Sequence, residues 1–317
     1  MATATTAPVP TPDTDNWRAI LLMVLAMGVF ALEDMFIKLA SDDIGIGQIL
    51  LLIGIGGVAF YVWLAWNSGA EIIHRYQLNS YLVIRSLSEV VAGYGFVTAL
   101  TRIDISVASA ILQATSLVTV LGAALFLREP IGWRRWTAII VGFIGVLLII
   151  RPGADAFDVD SLYALIAVFA LAARDLVTRK IPTSIPTSIV ALQAYVGIML
   201  LGVGLMLILP DGDWQAMTSM TTIYIVIAAV CGIIAYFAIT TSLRVGEASA
   251  VAPFRYSRLV FALIVGFVIF GEVPDLWMTL GSILIVGSGL YALYRERLRK
   301  ISPKSRKPIP GPFKSGL

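Results

Sequence analysis

The feature that most constrains this chain is a succession of apolar runs, each close to 20 residues long and separated by short connections. A hydrocarbon bilayer about 30 Å thick needs roughly 20 apolar residues of helix to cross it. Ten runs meet that length: residues 17–39, 45–66, 80–100, 105–127, 131–150, 159–178, 185–209, 219–243, 248–270 and 275–295. They are continuous and do not alternate, which argues against a membrane β-barrel. Hydrophobic residues make up 58% of the 317 and charged residues 14%, against roughly 25% charged in soluble domains. The expected fold class is an all-α integral membrane protein with ten transmembrane helices. The connections leave no room for a soluble domain.

Lysine and arginine orient the bundle. With the N-terminus in the cytoplasm, the inner segments hold Arg18, Arg75, Arg128, Arg134, Arg135, Arg179, Lys180, Arg244 and eight basic residues from Arg295 to Lys314. The outer loops hold only Arg102 and Arg151 and are rich in Asp. Both termini are therefore expected in the cytoplasm of a multi-pass protein. Residues 1–16 read as a disordered tail without the basic and apolar regions of a signal peptide, and residues 296–317 as a basic tail.

A duplication is legible without gaps. At an offset of 143, Thr98 meets Thr241, Leu100 meets Leu243, Asp104 meets Glu247, Ser106 meets Ser249 and Glu129 meets Glu272. At an offset of 141, Asp34 meets Asp175 and Lys38 meets Arg179. The expected halves are residues 17–150 and 159–295. Five spans per half is an odd number, so the repeats run in opposite senses through the membrane. Inverted repeats mark many secondary transporters, with the solute site near the midplane.

The segment DISVASAILQATSLVTVLGAALFLREPIGWRRWTAIIVGFIGVLLI and its second copy EASAVAPFRYSRLVFALIVGFVIFGEVPDLWMTLGSILIVGSGLY resemble the EamA repeat of the drug/metabolite transporter superfamily. Both have a small-residue helix, then an apolar helix, a Glu (Glu129, Glu272) and a Gly-rich helix. The resemblance covers residues 17–296 and implies two inverted five-helix repeats around a central cavity. APFRYSRLVFA in the second copy looks like the bacterial subgroup of riboflavin and S-adenosylmethionine uptake carriers. The first copy departs from the pattern with Arg128-Glu129-Pro130.

Ionisable residues inside spans mark function by default. Glu33, Asp34 and Lys38 lie in the first span, Arg85 and Glu89 in the third, Arg174 and Asp175 in the sixth, and Arg255 and Arg258 in the ninth. Asp34 with Lys38, and Asp175 with Arg179, are four apart and can pair on one helix face. They are read either as structural pairs or as gates. Glu33 has Arg174 as its repeat mate, which singles it out for solute or proton contact. Arg85 and Glu89 also share a face, as an internal ion pair or with Glu89 as a proton carrier. Arg255, Tyr256 and Arg258 have no like mates in the first copy and are the leading solute-binding candidates, with a structural salt bridge as the competing reading. Arginine stacks on flat rings and forks onto oxyanions. Tyr94, Tyr195, Tyr236 and Gln113 complete the polar and aromatic set, with ordinary bundle packing as the alternative role for the rings.

The reading that follows is a secondary carrier for a small organic solute in the bacterial inner membrane, working by alternating access. The best guess is uptake of riboflavin or a similar vitamin-like or nucleoside-like compound. Export of amino acids or other metabolites is the alternative. An enzyme is not expected: the one histidine, His74, and the one cysteine, Cys231, exclude a His/Cys metal cluster, a histidine triad and an internal disulfide. No P-loop is present. The basic residues cluster at membrane flanks and not in a nucleic-acid-binding stripe. No cofactor is expected; the partners are the solute, the bilayer and a possible coupled proton, in a monomer or homodimer.

Overall fold

With no water in the bilayer core, every backbone N–H and C=O of a spanning segment must be satisfied within the protein, which restricts spans to helices and closed barrels. The computed structural model of the chain follows that rule. It describes residues 15–69, 79–128, 132–153, 157–178, 180–181, 185–209 and 212–301. Arg179, Glu129, His74 and most of both tails lie outside the described residues.

The helices are α1 (Asn16–Ala40), α2 (Ile46–Asn67), α3 (Ser80–Arg102), α4 (Ile105–Leu112), α5 (Thr115–Phe126), α6 (Trp133–Ile150), α7 (Ser161–Thr178), α8 (Thr187–Ile208), α9 (Ser219–Val245), α10 (Ala248–Val251), α11 (Ser257–Phe270) and α12 (Leu276–Ile301). They supply ten helical segments long and apolar enough to cross a membrane, and no strand occurs among the described residues.

Two expected spans are interrupted. Residues 105–127 were expected as one helix, yet α4 gives way to α5 at Gln113 and Ala114. There the N–H groups of Gln113 and Ala114 reach back only three residues, to the carbonyls of Ala110 and Ile111. The Thr115 hydroxyl donates to the Leu112 carbonyl at 2.6 Å. The turn tightens without leaving polar backbone bare. In the second copy, residues Ala252–Tyr256 form a 3-10 turn between α10 and α11. Pro253 lacks the N–H that an α-helix would use at this point and favours such a break.

The described chain forms two compact units, Met1–Ile72 with Pro186–Val265, and Ile73–Ile185 with Gly266–Leu317. Each draws helices from both halves of the sequence. In the first, α1 packs on α9 and α2 on α8. In the second, α3 packs on α7 and α6 on α12. By the duplication α1 corresponds to α7 and α9 to α3, so the α1–α9 pair in one unit has its counterpart in the α7–α3 pair of the other.

Small residues allow close helix approach where lipid offers no hydrophobic drive between helices. In the second unit a Cβ on Gly145 of α6 would fall 2.7 Å from the Gly281 carbonyl of α12, and one on Gly281 would fall 2.6 Å from the Gly145 carbonyl. The two backbones touch directly.

Glu272, shared by both repeats as a Glu, has a structural task. It lies in the connection between α11 and α12 and reaches the N-terminus of α4. Its carboxylate accepts from the backbone N–H of Ile105 at 2.8 Å and of Ser106 at 3.0 Å, and from the Ser106 hydroxyl. The N-cap residue, Asp104, makes no side-chain cap of its own. Glu272 thus meets N–H groups that the first turn of a helix leaves open, and its charge complements the helix dipole. Gly266 of α11 leaves the room: a Cβ there would come within 2.5 Å of Glu272 Oε2 and of Ser106 Oγ.

Candidate functional site

Most candidate residues fall into an ion pair and a tyrosine cluster in the first unit and an ion-pair network in the second. In the first unit, α1 presents Glu33 and Asp34 on successive positions, and α11 presents Arg258 two residues past the 3-10 turn. Arg258 holds both carboxylate oxygens of Asp34: Nη2 donates to Oδ2 at 2.7 Å and to Oδ1 at 2.9 Å, and Nε to Oδ2 at 3.3 Å. Asp34 is 2% exposed. The guanidinium carbon also sits 5.0 Å from the centre of the Phe30 ring, one turn down α1. The pairing of Asp34 with Lys38 is one of two readings of the sequence, the other being a gate; the structure shows a further partner, Arg258. A cation from a different helix, with a flat fork matched to a carboxylate, takes the stronger position. Arg258 is accordingly a neutralised cation, and the structural salt bridge weighed for it in the sequence is present.

Glu33, next in the chain, points elsewhere. It is half-buried against α9, where a Cβ built on Gly232 would lie 2.4 Å from Glu33 Oε1. Tyr256, in the 3-10 turn, is buried at 5% exposure, and Arg255 beside it is half-buried.

The same unit holds a tyrosine cluster. Tyr61 of α2 stacks on Tyr195 of α8, with centroids 5.5 Å apart and planes at 25°. Tyr236 of α9 meets both edge-on, at 6.0 and 6.4 Å. The Tyr195 ring fits because α2 has Gly57 beneath it; a Cβ there would come within 2.0 Å of the ring. The Tyr61 hydroxyl is buried and has no hydrogen-bond partner among the described residues. The sequence reading singled out Tyr195 and Tyr236 but missed Tyr61 and Gly57. Only the α2–α8 pairing, which the sequence does not display, joins them.

In the second unit, Arg85, Glu89, Arg174 and Asp175 form one network. Arg85 Nη2 lies 3.3 Å from Glu89 Oε2, the expected one-turn pair on α3. Arg174 of α7 adds a bond from Nη1 to Glu89 Oε1 at 2.9 Å, and holds Asp175 Oδ1 through Nε at 3.0 Å and Nη2 at 2.8 Å. Arg85 is 4% exposed. Glu89 is thus gripped by two guanidiniums, only one of which the sequence spacing indicated. Tyr94 packs edge-on against Tyr163 of α7 at 6.0 Å. Gln113, 7% exposed, marks the break between α4 and α5. Lys38 is half-buried near the end of α1, and its carbonyl takes the Ser41 N–H and hydroxyl.

The profile of the EamA-like transporter family matches residues 17–151 and again residues 161–294. A protein of Vibrio cholerae serotype O1 named riboflavin transporter is 34% identical over 178 residues, 56% of this chain and 58% of that protein. A protein of Rickettsia conorii named S-adenosylmethionine uptake transporter is 28% identical over 198 residues, 62% of this chain and 66% of the relative. A riboflavin transporter of Brucella anthropi is 30% identical over 207 residues, 63% of this chain and 72% of the relative. The matched stretches thus span somewhat under two thirds of the first two relatives. A crystal structure superposes with a TM-score of 0.60 at 16% identity, covering 90% of this chain and 99% of that one, a likeness of fold alone.

Proposed function

Since the chain belongs to the EamA-like transporter family, with both halves matched, we propose that it carries a small organic solute across a bacterial inner membrane. The carrier works by alternating access, with both termini in the cytoplasm. The carrying observation is the double family match over residues 17–151 and 161–294. The solute of first choice is riboflavin, taken up from outside. Relatives of that name support it, and so does the tyrosine cluster of α2, α8 and α9. Tyrosines offer flat apolar faces and hydroxyls, the two things a flavin ring and a polyol chain use. Tyr61, Tyr195, Tyr236 and Tyr256 are the residues expected to meet it, with Arg255 alongside.

A second solute is favoured by one observation. Arg258 is neutralised by Asp34, and Glu33 beside it offers a second acidic group, so a cationic solute finds a partner here. S-adenosylmethionine, the solute named for the Rickettsia relative, fits that balance.

The experiment is uptake by purified protein in liposomes. Saturable accumulation of riboflavin, with quenching of flavin fluorescence on binding, supports the first choice. Absence of both, with uptake of S-adenosylmethionine, moves the assignment to the second. Absence of transport of either removes both.

A further inference from the structure

The two halves place opposite chemistry at one matching contact. At the offset of 143, Glu89 on α3 corresponds to Gly232 on α9; at the offset of 141, Arg174 on α7 corresponds to Glu33 on α1. The packing keeps this register. Arg174 meets Glu89 at 2.9 Å in one unit. In the other, Glu33 lies against Gly232, where a Cβ would fall 2.4 Å from its Oε1. The first contact is filled by an ion pair. The second holds a carboxylate against bare helix backbone, with no side chain opposite to neutralise it.

The neighbours of Glu33 are already committed. Asp34 takes the Arg258 fork with both oxygens, and Arg258 acts on Glu33 only through space. Cys231, next to Gly232 on α9, is near enough to act on it through space. Among the described residues no hydrogen bond or ion pair reaches the Glu33 carboxylate. A carboxylate inside a span is costly unless something donates to it. Glu89 has that need met by a hydrogen bond from Arg174 and by an ion pair with Arg85. Glu33 has it unmet among the described residues.

We propose that Glu33 is the exchange carboxylate of the carrier. It holds a proton in one phase of the cycle and a donor group of the solute (an imide N–H, hydroxyl or ammonium) in the other. Solute binding breaks the Glu33 O–H bond and sends the proton to water. Solute release restores it by taking a proton from the opposite side. Gly232 is a positioning residue, because only a missing side chain lets the carboxylate rest on α9. The inference builds on the transport reading above and selects Glu33 over Glu89 as the proton carrier.

The test is infrared difference spectroscopy on the full chain in lipid, without solute, between acidic and alkaline buffer. A protonated-carboxyl band should appear in the wild type, persist in Glu89→Gln and vanish in Glu33→Gln. Gly232→Ala should shift the band while circular dichroism shows an intact helical fold. A band that survives Glu33→Gln, or that vanishes in Glu89→Gln, overturns the assignment. Riboflavin is the probe for the second phase. Its addition to weakly buffered protein should release protons to a pH-sensitive dye. Glu33→Gln should abolish that release and weaken binding about tenfold, the value of one hydrogen bond to a charged group. Equal binding and equal release in Glu33→Gln overturn the exchange. If riboflavin does not bind the wild type, the solute assignment falls and the infrared result still decides the role of Glu33.

Discussion

Arg258 and Asp34 are joined by a two-toothed ion pair that ties α11 to α1, with 16% and 3% of their side chains exposed. Cutting one side of a buried pair strands a charge. Arg258→Ala should therefore destabilise the protein by about 3–5 kcal/mol, read as a lowered melting point in detergent. The double change Asp34→Asn with Arg258→Met should melt above Arg258→Ala alone. If it does not, the loss in the single variant comes from packing on Phe30 and not from the stranded carboxylate.

The Glu89 network predicts a similar asymmetry. Arg174→Ala removes the donor to both Glu89 and Asp175 and leaves Glu89 with Arg85 alone. A loss of about 3 kcal/mol is expected. Arg174→Lys should recover little, since an ammonium cannot reproduce the planar fork that serves two acids at once. Full recovery by lysine would show that only the net charge matters.

Glu272 and Gly266 act on one cap. Glu272→Ala should cost about 1–2 kcal/mol, the usual loss for a helix N-cap. Gly266→Ala should cost a similar amount by pushing the carboxylate away from Ser106. Because both changes break the same bonds, the double variant should lose clearly less than the sum. Additive losses, measured by thermal melting, would separate the glycine from the cap.

Asp275 gives a pH dependence outside the spans. It caps α12 through the Met278 N–H at 2.7 Å and pairs with Arg151 at the end of α6. Partial burial raises its carboxyl, but the bonds from Met278 and Arg151 outweigh that and hold it below the ordinary carboxylate value. A folded value below the unfolded one adds stability that is present above the carboxylate range and lost as pH falls through it. Wild type should therefore exceed Asp275→Asn in melting point at neutral pH, with the gap closing in acid. A gap that stays constant across that range would mean that ionisation of Asp275 plays no part.

Span number was readable from the sequence because a bilayer imposes one length on every crossing. The repeat was readable because its offsets stay constant through Thr98–Glu129 and Thr241–Glu272. Arg85 with Glu89 was found because a one-turn spacing leaves little choice of partner. Asp34 with Arg258, 224 residues apart, was not, because spacing along one helix says nothing of which foreign helix comes alongside. Lys38 competed for Asp34 on paper by proximity alone. The helix breaks were half visible. Pro253 signals one, whereas Gln113 and Ala114 are ordinary helix residues whose tightening is set by packing and by the Thr115 hydroxyl. Gly232 carried no signal in the sequence until the α1–α9 pairing placed Glu33 upon it.

The seam between Gly145 and Gly281 bears on how force travels through the second unit. Two backbones in direct contact have no rotamers to change and no soft side chain to compress. A shift in α6 must therefore pass into α12 almost undiminished, so the pair moves as one thick rod. Bending belongs to places where the regular helical ladder is interrupted, such as the turn between α4 and α5.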